Sequence, residues 1–195
     1  MPGETRDTSP TAVTKDEAPA TWIDRLLSER MLYPALAMAF LVLTIVVVAR
    51  KRDLGPAPEL DLPTITADGA PAGERVSLRG LRGKVVLVDF WATWCGPCRV
   101  MTPVLQRMHA RYAARGLAVV GVNVDEDGPG IVPRFRQHYG VEYPMVYDVG
   151  MGASGRYEVR SLPTLLVNDR DGRVRYRHSG TESEAELAAL IEGLL

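Results

Sequence analysis

Residues 85–98, Val-Val-Leu-Val-Asp-Phe-Trp-Ala-Thr-Trp-Cys-Gly-Pro-Cys, join a continuous apolar run to two cysteines separated by Gly-Pro. A Val-rich run of this length predicts a buried strand. Pro97 suits the first turn of a helix, where its missing N–H loses nothing, so the chain is expected to turn helical at or near Cys95 and stay so through Gly116. Cys95 then occupies the positive end of that helix. Unsatisfied backbone N–H groups and aligned peptide dipoles favour a thiolate there and supply a nucleophile near neutral pH. Cys98, three residues on and facing the same side, is placed to resolve a mixed disulfide. The sequence holds only these 2 cysteines, so neither a structural disulfide framework nor a cysteine-rich zinc site competes with a redox-active pair.

Asp89 is the one charge within the apolar strand, six residues before Cys95. A carboxyl buried there has a raised pKa unless it is paired, which makes Asp89 the candidate to accept a proton from Cys98. The alternative is a structural carboxylate satisfied by backbone donors. Trp94, Gly96 and Pro97 border Cys95 and are candidates for the substrate surface, whereas Trp91 fits core packing. Arg99, just inside the helix, either favours the thiolate by its charge or stands solvated. His109, His138 and His178 are dispersed without metal-ligand spacing. Met101 and Met108, seven apart, fit a core stripe, so no metal and no cofactor are expected.

The 195 residues suffice for one domain with a sizeable core plus extra segments. Lys and Arg total 23 against 24 Asp and Glu. That balance, with few aromatics and none interleaved with basic residues, argues against nucleic acid as a partner.

Residues 1–20 are too polar and Pro-rich to bury enough surface to offset ordering, and are expected to be disordered. From Thr21, Trp22, Ile23, Leu26, Leu27 and Met31 recur at helical spacing, so residues 1–30 read as a tail leading into a short amphipathic helix. Residues 31–49 carry no charge and, if helical, span roughly 28 Å, enough for a single transmembrane helix in contact with lipid. Val47-Val48-Ala49 also offers a small-residue pattern for a signal peptidase, but the thirty residues ahead exceed an ordinary n-region, which favours a retained anchor. Lys15, Arg25 and Arg30 precede the span and Arg50, Lys51 and Arg52 follow it, so basic residues give no clear orientation. Residues 50–58 read as a linker, and 59–195 as the catalytic domain.

Within that domain, Leu60–Ile65 reads as an edge strand, Asp68-Gly69 as a turn, and Ser77 as a cap for one turn at 78–81. Leu117–Val124 is a second buried strand, parallel to the first if a helix separates them. Ile131, Phe135 and Tyr139 define a helix closed by Gly140, followed by Tyr143–Asp148 and a glycine-rich stretch. Leu165–Asn168 and Val174–His178 form a hairpin about Asp171-Gly172. A last helix, capped by Thr181 or Ser183, places Leu187, Leu190, Ile191 and Leu194 on one face.

The stretch Val-Asp-Phe-Trp-Ala-Thr-Trp-Cys-Gly-Pro-Cys-Arg resembles the active-site signature of the thioredoxin superfamily. The order of elements around it, including the Leu-x-x-Leu-x-Gly-Lys lead-in at residues 78–84, is similar to the membrane-tethered TlpA/ResA branch. The resemblance covers roughly residues 59–195 and implies an α/β thioredoxin-like fold, a central mixed sheet flanked by helices. It further implies a TlpA/ResA-type insertion of one helix and one strand after Leu117–Val124, and a catalytic domain on the extracytoplasmic face of the cell membrane. It also implies that Pro163 is cis and packs against the cysteines, and that the backbone at Leu162 pairs with an extended substrate strand. Thioredoxins carry an aspartate at the position of Asp89, whereas many TlpA/ResA proteins carry asparagine.

The leading expectation is a membrane-anchored thiol–disulfide oxidoreductase, a reductase by its resemblance to Gly-Pro members. Its partners would be disulfide-containing protein substrates and a membrane or soluble dithiol electron donor. The alternatives are a metallochaperone holding Cu(I) between Cys95 and Cys98, and a non-catalytic tethered adaptor.

Overall fold

The computed structural model describes residues 33–44, 53–72 and 74–195. The chain divides between Val48 and Ala49 into two units. In the first, residues 33–44 form helix α1, with every side chain exposed, Leu36, Phe40, Leu41 and Leu43 among them. Thr44 returns its hydroxyl to the carbonyl of Phe40 at 2.6 Å, an i−4 bond that satisfies a polar group within an apolar segment. No helix among the described residues is long and apolar enough to cross a membrane. The expected span's remaining residues, and the tail and amphipathic helix expected over 1–30, lie outside the described residues.

The second unit is built on a five-stranded sheet. Strand β3 (Val85–Trp91) is buried along its whole length because it lies at the centre. β4 (Leu117–Asn123) pairs with it in parallel, Asp89 opposite Gly121. On the other side β6 (Thr164–Asn168) runs antiparallel, Asp89 opposite Leu165. β5 (Met145–Tyr147) and β7 (Val174–Ser179) form the edges, giving the order β5-β4-β3-β6-β7. A strand buried on both faces has no polar face to alternate, which is why 85–91 reads as one apolar run.

Helix α2 (Gly96–Tyr112) connects β3 to β4, and α3 (Val132–Tyr139) connects β4 to β5. Alternation assigns the faces. Trp91 stacks on Phe135 of α3 with ring centroids 4.5 Å apart, so Asp89, two residues earlier, shares the face covered by α3. His109 of α2 packs edge-on against Tyr143, and both Tyr143 and Trp91 crowd Gly121, so α2 covers that face too. α5 (Glu184–Glu192) joins them, with Arg107 bonded to Glu184 and the Tyr112 hydroxyl to Glu192 at 2.7 Å. Phe90 points the other way, onto Tyr157 just after α4 (Gly152–Arg156), at 5.1 Å. β1 (Asp61–Pro63) and β2 (Arg75–Ser77) form a separate hairpin, joined to the sheet by a bridge between Thr64 and Val146.

Four local features differ from expectation. Residues 53–57, expected as linker, pair along β7: Leu54 donates to Val174, Val174 donates to Gly55, and Asp53 meets Arg173 at 2.8 Å. The α-helix begun at Gly96 ends at Tyr112, and Ala113–Arg115 tighten into a 3-10 turn closed by left-handed Gly116. Two short elements, β2 and α4, carry no sequence pattern. α4 forms in a glycine-rich segment because Asp148 accepts the amides of Ala153 and Ser154 at 2.8 and 2.7 Å. Ser183 is the cap of α5, accepting the Glu186 amide at 3.2 Å.

Candidate active site

β3 ends at Trp91, and the chain crosses Ala92-Thr93-Trp94 to the N-cap Cys95. The crossing is held from below. Asp125, just past β4, is buried and accepts the Thr93 amide through both oxygens, at 3.0 and 3.3 Å. Asn123 fixes the same carboxylate with its amide at 2.9 Å. Sequence pattern did not single out Asp125. Its only signal is an acidic residue two positions past a largely buried strand.

Cys95 and Cys98 are joined as a disulfide, Cα atoms 5.3 Å apart. Cys95 is 5 % exposed and Cys98 not at all, so of the two cysteines only Cys95 borders solvent. Cys95 Sγ accepts the amide of Cys98 at 3.2 Å, one of the otherwise orphaned donors at the helix start. The expected site neighbours separate by exposure: Trp94, Gly96 and Pro97 are exposed, and Trp94 at 65 % is an unusually open large aromatic. Trp91 is buried, as core packing requires.

The peptide between Leu162 and Pro163 is cis. Thr164 stands opposite Phe90, so Leu162 and Pro163 lie at the end of the sheet from which β3 runs into the cysteine pair. Leu162 is half-buried and Pro163 buried.

Asp89 is 1 % exposed, and its Oδ1 has no hydrogen-bond partner. Burial alone drives its pKa up to about 7. The alternative of a structural carboxylate satisfied by donors has no support at Oδ1. Tyr143, on the same face, stays protonated: burial and, secondarily, the nearby Asp89 charge push its ionisation upward. His109 is half-buried, with a buried, unpartnered Nδ1 beside Tyr143. Arg99 is exposed and turns back to the carbonyl of Thr93, with Nε and Nη2 donating at 3.0 and 2.8 Å. A larger cavity, about 730 Å³ between residues 65–67 and α3, contains neither cysteine and no unpartnered buried acid. The chemistry therefore belongs at the start of α2.

The fold and the cysteine pair define a thioredoxin-like disulfide oxidoreductase. The family model for Redoxin matches residues 56–191, and the chain belongs to that family, within the ResA-like part of the thioredoxin superfamily. The thiol-disulfide oxidoreductase ResA of Bacillus thuringiensis is 31% identical over 120 residues, covering 62% of this chain and 69% of that protein. The thioredoxin-like protein YneN of Bacillus subtilis is 36% identical over 138 residues, covering 70% and 76%. Among solved structures, a putative thiol:disulfide interchange protein DsbE from Chlorobium tepidum superposes with a TM-score of 0.65 at 33% identity, over 73% of this chain and 96% of that one.

Proposed function

We propose that this protein is a membrane-anchored reductase of protein disulfides, with Cys95 as nucleophile, Cys98 as resolving thiol and Asp89 as proton acceptor. The exposure difference between the two cysteines is the observation that carries the assignment: a substrate disulfide meets Cys95 first. In the reduced protein the Cys95 thiolate attacks one substrate sulfur. A Cys95–substrate bond forms, the substrate S–S bond breaks, and the departing sulfur takes up a proton. Cys98 then gives its proton to Asp89 and attacks Cys95 Sγ. The Cys95–Cys98 bond forms, the mixed disulfide breaks, and the second substrate sulfur leaves and is protonated. The substrate gains two electrons from the protein dithiol; of its two protons, one comes from solvent, replacing the proton Cys95 lost on ionising, and one is the Cys98 proton released by Asp89, and a dithiol donor restores the protein dithiol.

A carboxyl with a pKa of about 7 suits this transfer, being available in both protonation states near neutral pH. Trp94, Gly96 and Pro97 supply the surface around Cys95, and the Leu162 backbone ahead of Pro163 supplies an edge for an extended substrate segment. Anchoring is supported by the uncharged, fully exposed helix α1, and family membership supports a catalytic domain outside the cytoplasm. Gly-Pro between the cysteines supports the reducing direction.

The test is trapping. In intact cells Cys98→Ser should accumulate mixed disulfides with protein partners through Cys95, and Cys95→Ser should not. Trapping by Cys95→Ser instead would reverse the assignment.

A further inference from the structure

Trp94 and Ile131 are 65 % and 54 % exposed and stand side by side, forming a ridge between two recesses. On one side lies a groove of about 480 Å³, lined by Thr93, Trp94, Arg99, Arg134, His138 and Tyr139. Its wall is aromatic, with Phe135 against Tyr139 at 4.5 Å and His138 edge-on to Tyr139 at 4.7 Å. Its charged groups are all of one sign. Arg99 and Arg134 are exposed and, among the described residues, form no salt bridge. Two of the five Arg99 N–H donors are taken by Thr93 O, which leaves the rest unspent. On the other side of the ridge, a recess of about 500 Å³ carries the exposed carboxylates of Glu126 and Asp127.

We infer that the groove between the start of α2 and helix α3 selects the substrate: it takes an aromatic residue with a neighbouring carboxylate, from the segment of the protein substrate that flanks the disulfide under attack. This rests on the reductase reading above and adds a substrate class to it. The groove is continuous with the reaction centre, since Thr93 and Trp94 run directly into Cys95. A side chain seated on the Trp94–Tyr139 wall is thus a residue or two from the attacked sulfur. Charge complementarity sets the polarity: Arg99 and Arg134 attract an acid, while Glu126 and Asp127 repel one from the opposite side. α3 supplies four of the lining side chains, so the selectivity belongs to the helix inserted between β4 and β5.

The experiment uses the full chain in its dithiol form and two synthetic peptides. Each is closed by one disulfide and carries Phe beside one cysteine, and they differ only in the next residue, Glu or Lys. Glutathione disulfide is run beside them. The Glu peptide should oxidise the protein about fivefold faster at low ionic strength, from rim charges each worth a fraction of a tenfold, and the gap should narrow in 0.5 M salt. Combining Arg134→Glu with His138→Glu, both exposed positions, should bring the ratio to one or below. Equal rates for the two peptides, or a ratio unmoved by the double substitution, overturns the groove assignment alone. Failure of all three disulfides to oxidise the dithiol overturns the reductase reading and this assignment with it.

Discussion

Replacing Asp89 by Asn tests the buried acid through stability as well as rate. Below the ordinary carboxylate range, Asp89 is protonated in both folded and unfolded chains and costs nothing. Between there and about 7 the unfolded chain ionises while the folded chain keeps its proton, so stability falls as pH rises. Above about 7 both forms are ionised and the whole cost of a buried, unpaired charge is present. From 3.8 to about 7 is about 3 pH units, or about 4 kcal/mol at ~1.36 kcal/mol per unit. Asn carries no charge at any pH, so its burial cost is constant. The difference in unfolding free energy between variant and wild type should therefore move in the variant's favour by about 4 kcal/mol between pH 4 and pH 8. Carboxylates held low by partners, such as Asp53 beside Arg173, are common to both proteins and cancel in the difference. Urea titrations of the oxidised chain, followed by tryptophan fluorescence at intervals across that range, give the curve. Profiles that stay parallel within ~1 kcal/mol would mean that the Asp89 carboxyl ionises normally in the fold, which removes the basis for a proton acceptor. In the reduced enzyme the same variant should slow release from the mixed disulfide more than its formation.

Two further substitutions test the supporting structure. Asp148→Ala strips α4 of its cap and leaves the buried amides of Ala153 and Ser154 and the Ser154 hydroxyl without their acceptor. A loss of about 2–4 kcal/mol is expected in denaturant unfolding. Gly69→Ala should cost more than Gly83→Ala. Both glycines have φ near +85°, but a Cβ at 69 would lie 2.7 Å from Gly130 Cα, whereas at 83 it meets nothing within 4 Å. The second change should cost about 1 kcal/mol, the first clearly more, as read from paired thermal melts.

The central strand, the active-site helix and the outer hairpin were legible because each rests on a dense local signal. The seven residues of β3 are uniformly apolar apart from Asp89, Pro97 marks the helix start, and Asp171-Gly172 marks the turn. Cys95, Cys98 and Asp89 could be chosen from the same stretch. What escaped depends on contacts distant in sequence. β2 is three residues long and exists by pairing with β1, α4 exists because Asp148 reaches forward to cap it, and Asp53–Ala57 are ordered only by the edge of β7. Asp125 is of the same kind: its work is to hold Thr93, 32 residues away. The Trp94 groove likewise needs α3 folded against the start of α2, which no local pattern announces.

The proposed mechanism requires Cys95 to be the activated sulfur. The pH dependence of iodoacetamide alkylation of the reduced chain, with the modified cysteine identified by mass spectrometry, tests this most directly. Cys95 should be modified well before Cys98, with a midpoint below the ~8.5 of a free thiol. Preferential modification of Cys98, or a Cys95 midpoint at or above that of a free thiol, would contradict it.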